Sequence, residues 1–414
     1  MSKLEELIQE LCPNGVEFVP LWSITAWDKK FNAVDKAMQP KVYKYPVLLA
    51  KDLFAMQQEK GDVFLLSTGT ETGWTTEKIA GDYLCKGEVV TLPWGKSSPV
   101  KGLIKYYNGK FVTGDNRIAT SLDTEKLLNK YLYYWMVNQG DVIDTFYRGS
   151  GIKHPSMFHV LTMTIPVPPM EVQREIVRLL DDFTAKTAEL LEELNREYEA
   201  RKKQYEYYKE VLLCNNENVD KVKIKDIVCK TNKIKWNQTE NTYQYIDLSS
   251  VDRETHTLLN TSIIDRNNAP SRAQQIVCVD DVLFGTTRPM LKRLFVIPDE
   301  YDGQICSTGF CVLRAIDNIV QPKWIYHVLN TTQFYSYVES HQQGTSYPSI
   351  SDSLVKEYEI TLPSLDEQIR IINILDNLEE TNFELNNNLS LELESRQKQY
   401  EFYRDKLLTF KELS

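Results

Sequence analysis

The sequence predicts an α+β fold in which two duplicated α/β domains alternate with two long antiparallel helices, paired as a coiled coil about a pseudo-twofold axis. Three observations carry this. The stretch Glu171 to Leu213 returns, without a gap, 195 positions later as Asp366 to Leu408. From Pro168/Pro363 onward 18 of 46 aligned positions are identical, among them Gln173/Gln368, Asp181/Asp376 and Arg201/Arg396. Such a repeat fixes the architecture before any local reading does. Ahead of each copy lie runs rich in β-branched and aromatic residues, broken by turn residues, in the same order twice.

The elements follow in chain order. SKLEELIQEL carries Leu4, Leu7, Ile8 and Leu11 at helical spacing and is stopped by Cys12-Pro13-Asn14-Gly15. From Val16 to Pro166 short strands are expected at VEFVPL, YKYPVLLA, GDVFLLSTG, GEVVTLPWG and LIKYYNGKFVT, with Asn108-Gly109 marking a hairpin and one helix over Thr124 to Asn138. In the second half, Val222 to Ile227 answers Val16 to Leu21, and YQYIDLSS answers YKYPVLLA. Val282 to Phe284 answers Val63 to Leu65, and Lys323 to Tyr326 answers Lys130 to Tyr133. The exit loop Gly149 to Ser156 recurs loosely as Gly344 to Ser349. The expected boundaries are domains at 1–165 and 214–362 and helical segments at 166–213 and 363–414.

Each long helix starts after a proline, Pro169 or Pro363, with acid or a capping serine in its first turn. Apolar positions then step by four and three: Ile176, Leu180, Phe183, Thr187, Leu190, Leu194, and Ile371, Leu375, Leu378, Asn382, Leu385, Leu389. That is a heptad seam. At 1.5 Å per residue such a helix reaches about 63 Å, too long for one small domain to cover, so each needs a partner helix. Pairing within the chain makes them antiparallel. Leu180, Phe183, Leu190 and Leu194 are expected to meet Leu375, Leu378, Leu385 and Leu389. The aromatic ends, with Tyr205, Tyr208, Tyr400 and Tyr403, are expected to cover the seam or dock a further subunit.

Composition is that of an ordinary globular protein, with 42% hydrophobic and 26% charged residues. No stretch of about 18 apolar residues suggests a membrane span, and the acidic start is unlike a signal peptide. The seven cysteines, with no CxxC pair, suit a reduced, cytoplasmic protein. The net charge of −10 is uneven: the helical segments hold 8 basic against 11 acidic residues (166–213) and 6 against 11 (363–414). The domains are near neutral, so a nucleic-acid surface there has to be a local patch.

Catalytic motifs are missing from the sequence. There is no GxxxxGK[ST] loop, no adenine-methylation motif and no HExxH, and the five histidines lack metal spacing. Gly69 and Gly73 in STGTETGW read as a turn. No cofactor, metal or catalytic residue is therefore expected in this chain.

The pairing of PVPPMEVQREIVRLLD with TLPSLDEQIRIINILD, each running into KQYEYYK or KQYEFYR, resembles the conserved regions of the specificity subunit of type I restriction-modification systems. The opening LEELIQELCPNGVEFVPL fits the same family. The resemblance implies that each domain reads one half of a split double-stranded DNA target and that the helices set the unread spacer. It also implies that two modification subunits, which bind S-adenosylmethionine, and ATP- and Mg-dependent restriction subunits join as partners. The competing reading is a stand-alone DNA-binding adaptor without a methyltransferase.

Two domains that differ in sequence are expected to read different half-sites, roughly a helical turn apart. In the first domain the basic run Trp94 to Thr120 points to Lys96, Ser97, Ser98 and Lys101, and the exit loop adds Arg148, Lys153 and His154. In the second, Lys233 and Lys235 lie in a basic stretch, and Thr286, Thr287, Arg288, Lys292 and Arg293 follow a strand with no acid among them. Gln342, Gln343, Ser346 and Tyr347 sit on the matching exit loop.

Overall fold

The computed structural model describes residues 3–96, 98–214 and 219–413, which divide into two compact units. The first unit is built from both ends of the chain, 1–192 and 391–414, and the second from 193–390.

In the first unit α1 (Lys3–Leu11) leads to a six-stranded sheet. Its strands are β1 (Thr25–Trp27), β2 (Val63–Leu66), β3 (Gly73–Thr75), β4 (Cys85–Pro93), β5 (Lys105–Thr113) and β6 (Asn116–Ser121), in the order β1-β6-β4-β5-β2-β3. Only β2 and β5 run parallel. α2 (Asn129–Asn138) lies in the main core, where Tyr131, Leu132 and Met136 are fully buried. The expected helix over 124–138 is thus shorter at its start. A ribbon pairing Glu17–Pro20 with Thr164–Val167 closes the domain at the root of the first long helix, Met170–Cys214.

The Asn108-Gly109 hairpin does not form: the pair lies in the middle of β5, with Gly109 opposite Gly87 of β4. A side chain at Gly109 would press on the Tyr107 ring, which stacks on Phe64 with ring centres 4.6 Å apart. This glycine makes room for an aromatic contact instead of turning the chain.

The second unit splits its strands into two four-stranded sheets. The strands are β7 (Val228–Cys229), β8 (Tyr243–Ile246), β9 (Ser262–Ile264), β10 (Ala273–Ile276), β11 (Val282–Gly285), β12 (Leu294–Val296), β13 (Ile305–Ser307) and β14 (Phe310–Ala315). They form β7-β14-β11-β12 and β9-β8-β13-β10. The first of these repeats the antiparallel order β1-β6-β4-β5 of the first unit. The strand Val282–Gly285 therefore corresponds to Cys85–Pro93, not to Val63–Leu66 as the residue pattern suggested. Short apolar strands look alike in sequence, and their place is set by their neighbours in the sheet. The ribbon of Lys221–Lys223 with Glu359–Thr361 and the helix α3 (Pro322–Leu329) stand where their first-unit counterparts do.

Both roots of the long helices are latched by the identical residues of the repeat. Gln173 is buried; its Oε1 accepts from Leu128 N (3.0 Å) and its Nε2 donates to Lys126 O and Pro168 O. Gln368 accepts from Gln321 N (2.9 Å) and donates to Ile319 O and Pro363 O. Asp181 receives Lys130 and Tyr134, and Asp376 receives Lys323 and His327. The backbone groups held by Gln368 are only part-buried, so each one left unpaired costs no more than about 1–3 kcal/mol, the range for a buried group. Gln368→Ala should therefore lower stability by a few kcal/mol, measurable as a shift of the urea midpoint at unchanged slope.

Within each unit the long helices meet antiparallel. In the first, Phe183 packs on Tyr400 with ring centres 5.5 Å apart, and Leu191 and Leu393 line the same hollow further along. In the second, Leu213 shares a core with Ile371, Ile372 and Leu375 of the second long helix, Leu365–Leu408, and Thr361 Oγ1 donates to Leu213 O. The stripe expected as the seam is covered, with Leu180, Leu375 and Leu389 buried and Phe183, Leu190, Leu194, Leu378 and Leu385 half-buried, but Leu180 and Leu375 do not meet: antiparallel pairing puts Leu180 in a core with Leu408 and Leu375 in a core with Leu213. Tyr205 is buried in the second unit and Tyr400 packs on Phe183, so neither offers a free docking surface. Their helical phase turns them inward; in the two aromatic ends it is Tyr207, Tyr208, Phe402 and Tyr403 that are exposed.

Candidate nucleic-acid interface

The two stretches singled out in each domain come together in each unit, and in the same way. In the first, the segment leaving β4 forms an antiparallel bridge between Lys96 and Lys153 of the exit loop. In the second, the segment leaving β11 bridges Thr287 to Ser349, and Arg288 N donates to Pro348 O at 2.7 Å. Each exit loop turns on a glycine with left-handed φ, Gly149 at +134° and Gly344 at +96°. An added Cβ would press on the carbonyl oxygen three residues on, Ile152 or Tyr347, at 3.1 Å in both. A shift of 195 residues thus superposes glycine on glycine and tip on tip.

The side chains divide less evenly. The basic run of the first domain is almost wholly spent on internal partners. Lys96 pairs with Asp144 and lies over the Tyr147 ring, and Lys101 pairs with Glu401. Lys110 bridges Asp62 and Glu77. Lys105 donates to Ser67 O and Ser67 Oγ and to Gly69 O, and its burial pushes its pKa down to about 8. That bond pattern also explains STGTETG: its carbonyl oxygens, not its amides, are turned to a partner, which suits a turn and not a phosphate cradle. Arg117 is buried between Asp28 and Asp115, with its guanidinium 4.7 Å from the Trp94 ring centre.

What stays open on this face is Arg148, Lys153, His154 and Ser98, together with Lys29, which lies over Trp94 at 5.2 Å. His154 packs on the same ring and its Nδ1 bonds Trp94 O at 2.8 Å. Ser97 lies outside the described residues. Lys29 escaped the sequence reading, although Lys29-Lys30 directly after a strand was a usable signal.

In the second unit Arg288 is exposed, has left-handed backbone (φ 49°, ψ 59°) and holds its guanidinium 4.3 Å from the Tyr347 ring centre. Lys292, also left-handed, reaches over Tyr335. Burial, then the neighbouring charge of Arg253, push the Arg293 guanidinium below its ordinary value; Asp247 opposes this and Arg288 adds to it. Arg253 thus joins the cluster, and no pattern in the sequence announced it. Thr286 is buried with its Oγ1 on Gly309 O, a structural role, whereas Gln343, Ser346 and Tyr347 are exposed and Gln342 is half-buried. Lys233 and Lys235 are exposed on the segment that bridges Gln275 of β10.

Two faces, each tying the segment after a central strand to an exit loop and each rimmed by cations, are what two different half-sites would require. A family model, the type I restriction modification DNA specificity domain, matches residues 43–200 and again 216–395. The chain belongs to this family. It is a specificity subunit, a recognition component and not a catalytic one.

The EcoR124I/EcoR124II specificity subunit of Escherichia coli is 26% identical over 99% of this chain and 97% of its own length. A putative type I specificity subunit of Haemophilus influenzae is 27% identical over 79% of this chain and 84% of its own. Among solved structures, the HsdS subunit from Thermoanaerobacter tengcongensis shares 32% identity over 41% of this chain and 44% of that one, with a TM-score of 0.39. The type I S subunit from M. genitalium shares 17% over 95% of this chain and 96% of that one, with a TM-score of 0.44.

Away from these faces, His327, Asp376 and Glu379 gather donor atoms within 4.8 Å of one another, a grouping that histidine spacing in the sequence did not reveal. Lys323 already balances Asp376, at 2.5 Å. No helix among the described residues is long and apolar enough to cross a membrane.

Proposed function

We propose that this specificity subunit reads a bipartite, asymmetric sequence in double-stranded DNA, with its recognition domains at 1–165 and 214–362. One half-site meets Lys29, Arg148, Lys153 and His154; the other meets Arg253, Arg288, Lys292 and Arg293. The observation that carries this is the duplicated frame with unlike side chains: the same backbone bridge and the same glycine turn in both units present different chemistry. Equivalent frames imply equivalent approaches to DNA, and unlike rims imply unlike half-sites.

The same reading supplies the partners. The exposed rings Tyr207, Tyr208, Phe402 and Tyr403 suit the docking of two modification subunits, which would bring S-adenosylmethionine, and restriction subunits would bring ATP and Mg. The setting is the cytoplasm, where the DNA is. Methylome sequencing of a strain with and without this gene tests the proposal: one split adenine motif is expected to lose modification when the gene is removed. Unchanged methylation, together with a purified chain that binds DNA but carries no methyltransferase subunit, would favour the stand-alone adaptor.

A further inference from the structure

The exit-loop tips carry an exposure that neither fold nor charge requires. Ile152 is 69% exposed and Tyr347 71% exposed, and the two stand at the same position of the duplicated loop, 195 residues apart. Large apolar side chains left in water at one place, in both copies, point to a contact that covers them. The loops are not loose. Arg148 pairs with His154 across the first, and Ser156 N donates to Phe146 O. Gln343 and Ser349 exchange two backbone hydrogen bonds across the second, and Ile350 N donates to Thr286 O. Each tip is therefore held out on a braced ribbon.

The surroundings say what the tips meet. Neither Arg148–Ser156 nor Gln342–Ser351 contains an acidic residue. Arg148, Lys153 and His154 flank Ile152, and Arg288 covers one face of the Tyr347 ring. An apolar tip ringed by cations fits a surface that is apolar at its centre and anionic at its rim. In duplex DNA that description belongs to a base step between its two phosphate strands.

We propose, resting on the DNA-reading role above, that Ile152 and Tyr347 are wedges. Each enters a base step of its own half-site and partly unstacks it, while the adjoining cations hold the phosphates. Ile152 acts as an aliphatic wedge. Tyr347 stacks a base on the ring face that Arg288 leaves open, so the second half-site gains an Arg–Tyr–base sandwich. Such wedges favour easily unstacked pyrimidine–purine steps and contribute to sequence choice without hydrogen bonding to a base.

The test uses the complete complex with its modification subunits and a duplex bearing the motif found by methylome sequencing. 2-Aminopurine is placed in turn at each position other than the methylated adenines, so that extrusion of the substrate base adds nothing to the signal. Wild-type complex should raise the fluorescence at one step in each half-site. Tyr347→Ser should abolish the rise in the second half-site alone and weaken binding roughly five- to 150-fold, the scale of one lost stacking contact. Ile152→Ser should do the same in the first half-site alone, Tyr347→Phe should keep the signal, and Lys153→Ala should weaken binding but leave the signal in place. A complex that binds its motif with full specificity yet brightens no step overturns the wedges and leaves the recognition role standing. If no motif-specific complex forms, the recognition role itself has failed, and the wedges with it.

Discussion

Replacing Arg117 with alanine should destabilise the first unit by about 3–5 kcal/mol, the cost of stranding a buried charge. Arg117 is 1% exposed; its Nη1 donates to Asp28 Oδ2 at 2.7 Å, and Asp28 is itself buried. Burial already pushes the Asp28 carboxyl above its ordinary value, and Arg117, helped by a hydrogen bond from Ile118 N, pulls it back. Without the guanidinium, burial is opposed by far less. Removing both charges with Arg117→Met and Asp28→Leu should recover much of the loss, because the desolvation penalty of each ion disappears with the pair. Urea denaturation of the two variants decides this: equal losses would show that the arginine acts by packing and not by charge. Arg117→Ala should also loosen Trp94, on which His154 rests, and so weaken the first half-site beyond the effect on stability.

Arg288→Ala should weaken binding at the second half-site by about 1–3 kcal/mol, roughly five- to 150-fold, and relax the sequence preference there, leaving the first half-site unchanged. The residue has no ion-pair partner among the described residues and sits in a conformation that costs a non-glycine residue about 1–2 kcal/mol. Strain kept at an exposed arginine on the proposed binding face suits the role proposed for it. The backbone supplies a control. Arg288→Gly removes the side chain and relieves the strain, so it should be about 1 kcal/mol more stable than Arg288→Ala while binding DNA no better. Full affinity and unchanged preference in either variant, measured by competition binding at physiological salt, would remove Arg288 from the interface.

The repeat made the frame readable. Gln173 and Gln368, Asp181 and Asp376 were visible as identities, and the structure gives each pair one job. The seam was readable because a heptad stripe is a local pattern. The exit loops were readable because a glycine turn keeps its place when its neighbours change. The proposed first DNA face was not readable from charge counting. Lys96, Lys101 and Lys110 are close in sequence, but Asp144, Glu401 and Asp62, which neutralise them, are remote, and Arg117 adds the remote Asp28 to its neighbour Asp115. Only the cations that the fold leaves without partners can serve DNA, and that remainder is a property of the tertiary structure. The place of Val282–Gly285 eluded the sequence for the same reason, since its sheet neighbours come from distant segments.

The first unit also has a consequence for how the chain is made. Val16 N donates to Lys411 O and Leu413 N to Val16 O, both at 2.9 Å, so residues 411–413 are stitched to the approach of the Glu17–Pro20 ribbon. Leu408 lies in the same core as Leu4, Val16 and Ile176. A ribosome releases the chain from its N-terminus, and domains generally fold as they emerge. The second unit is contiguous and is fully synthesised while the first still lacks residues 391–414. The domain begun first is therefore completed after the second, and a polypeptide cut short just after residue 390 would carry a complete second unit and an unfinished first one.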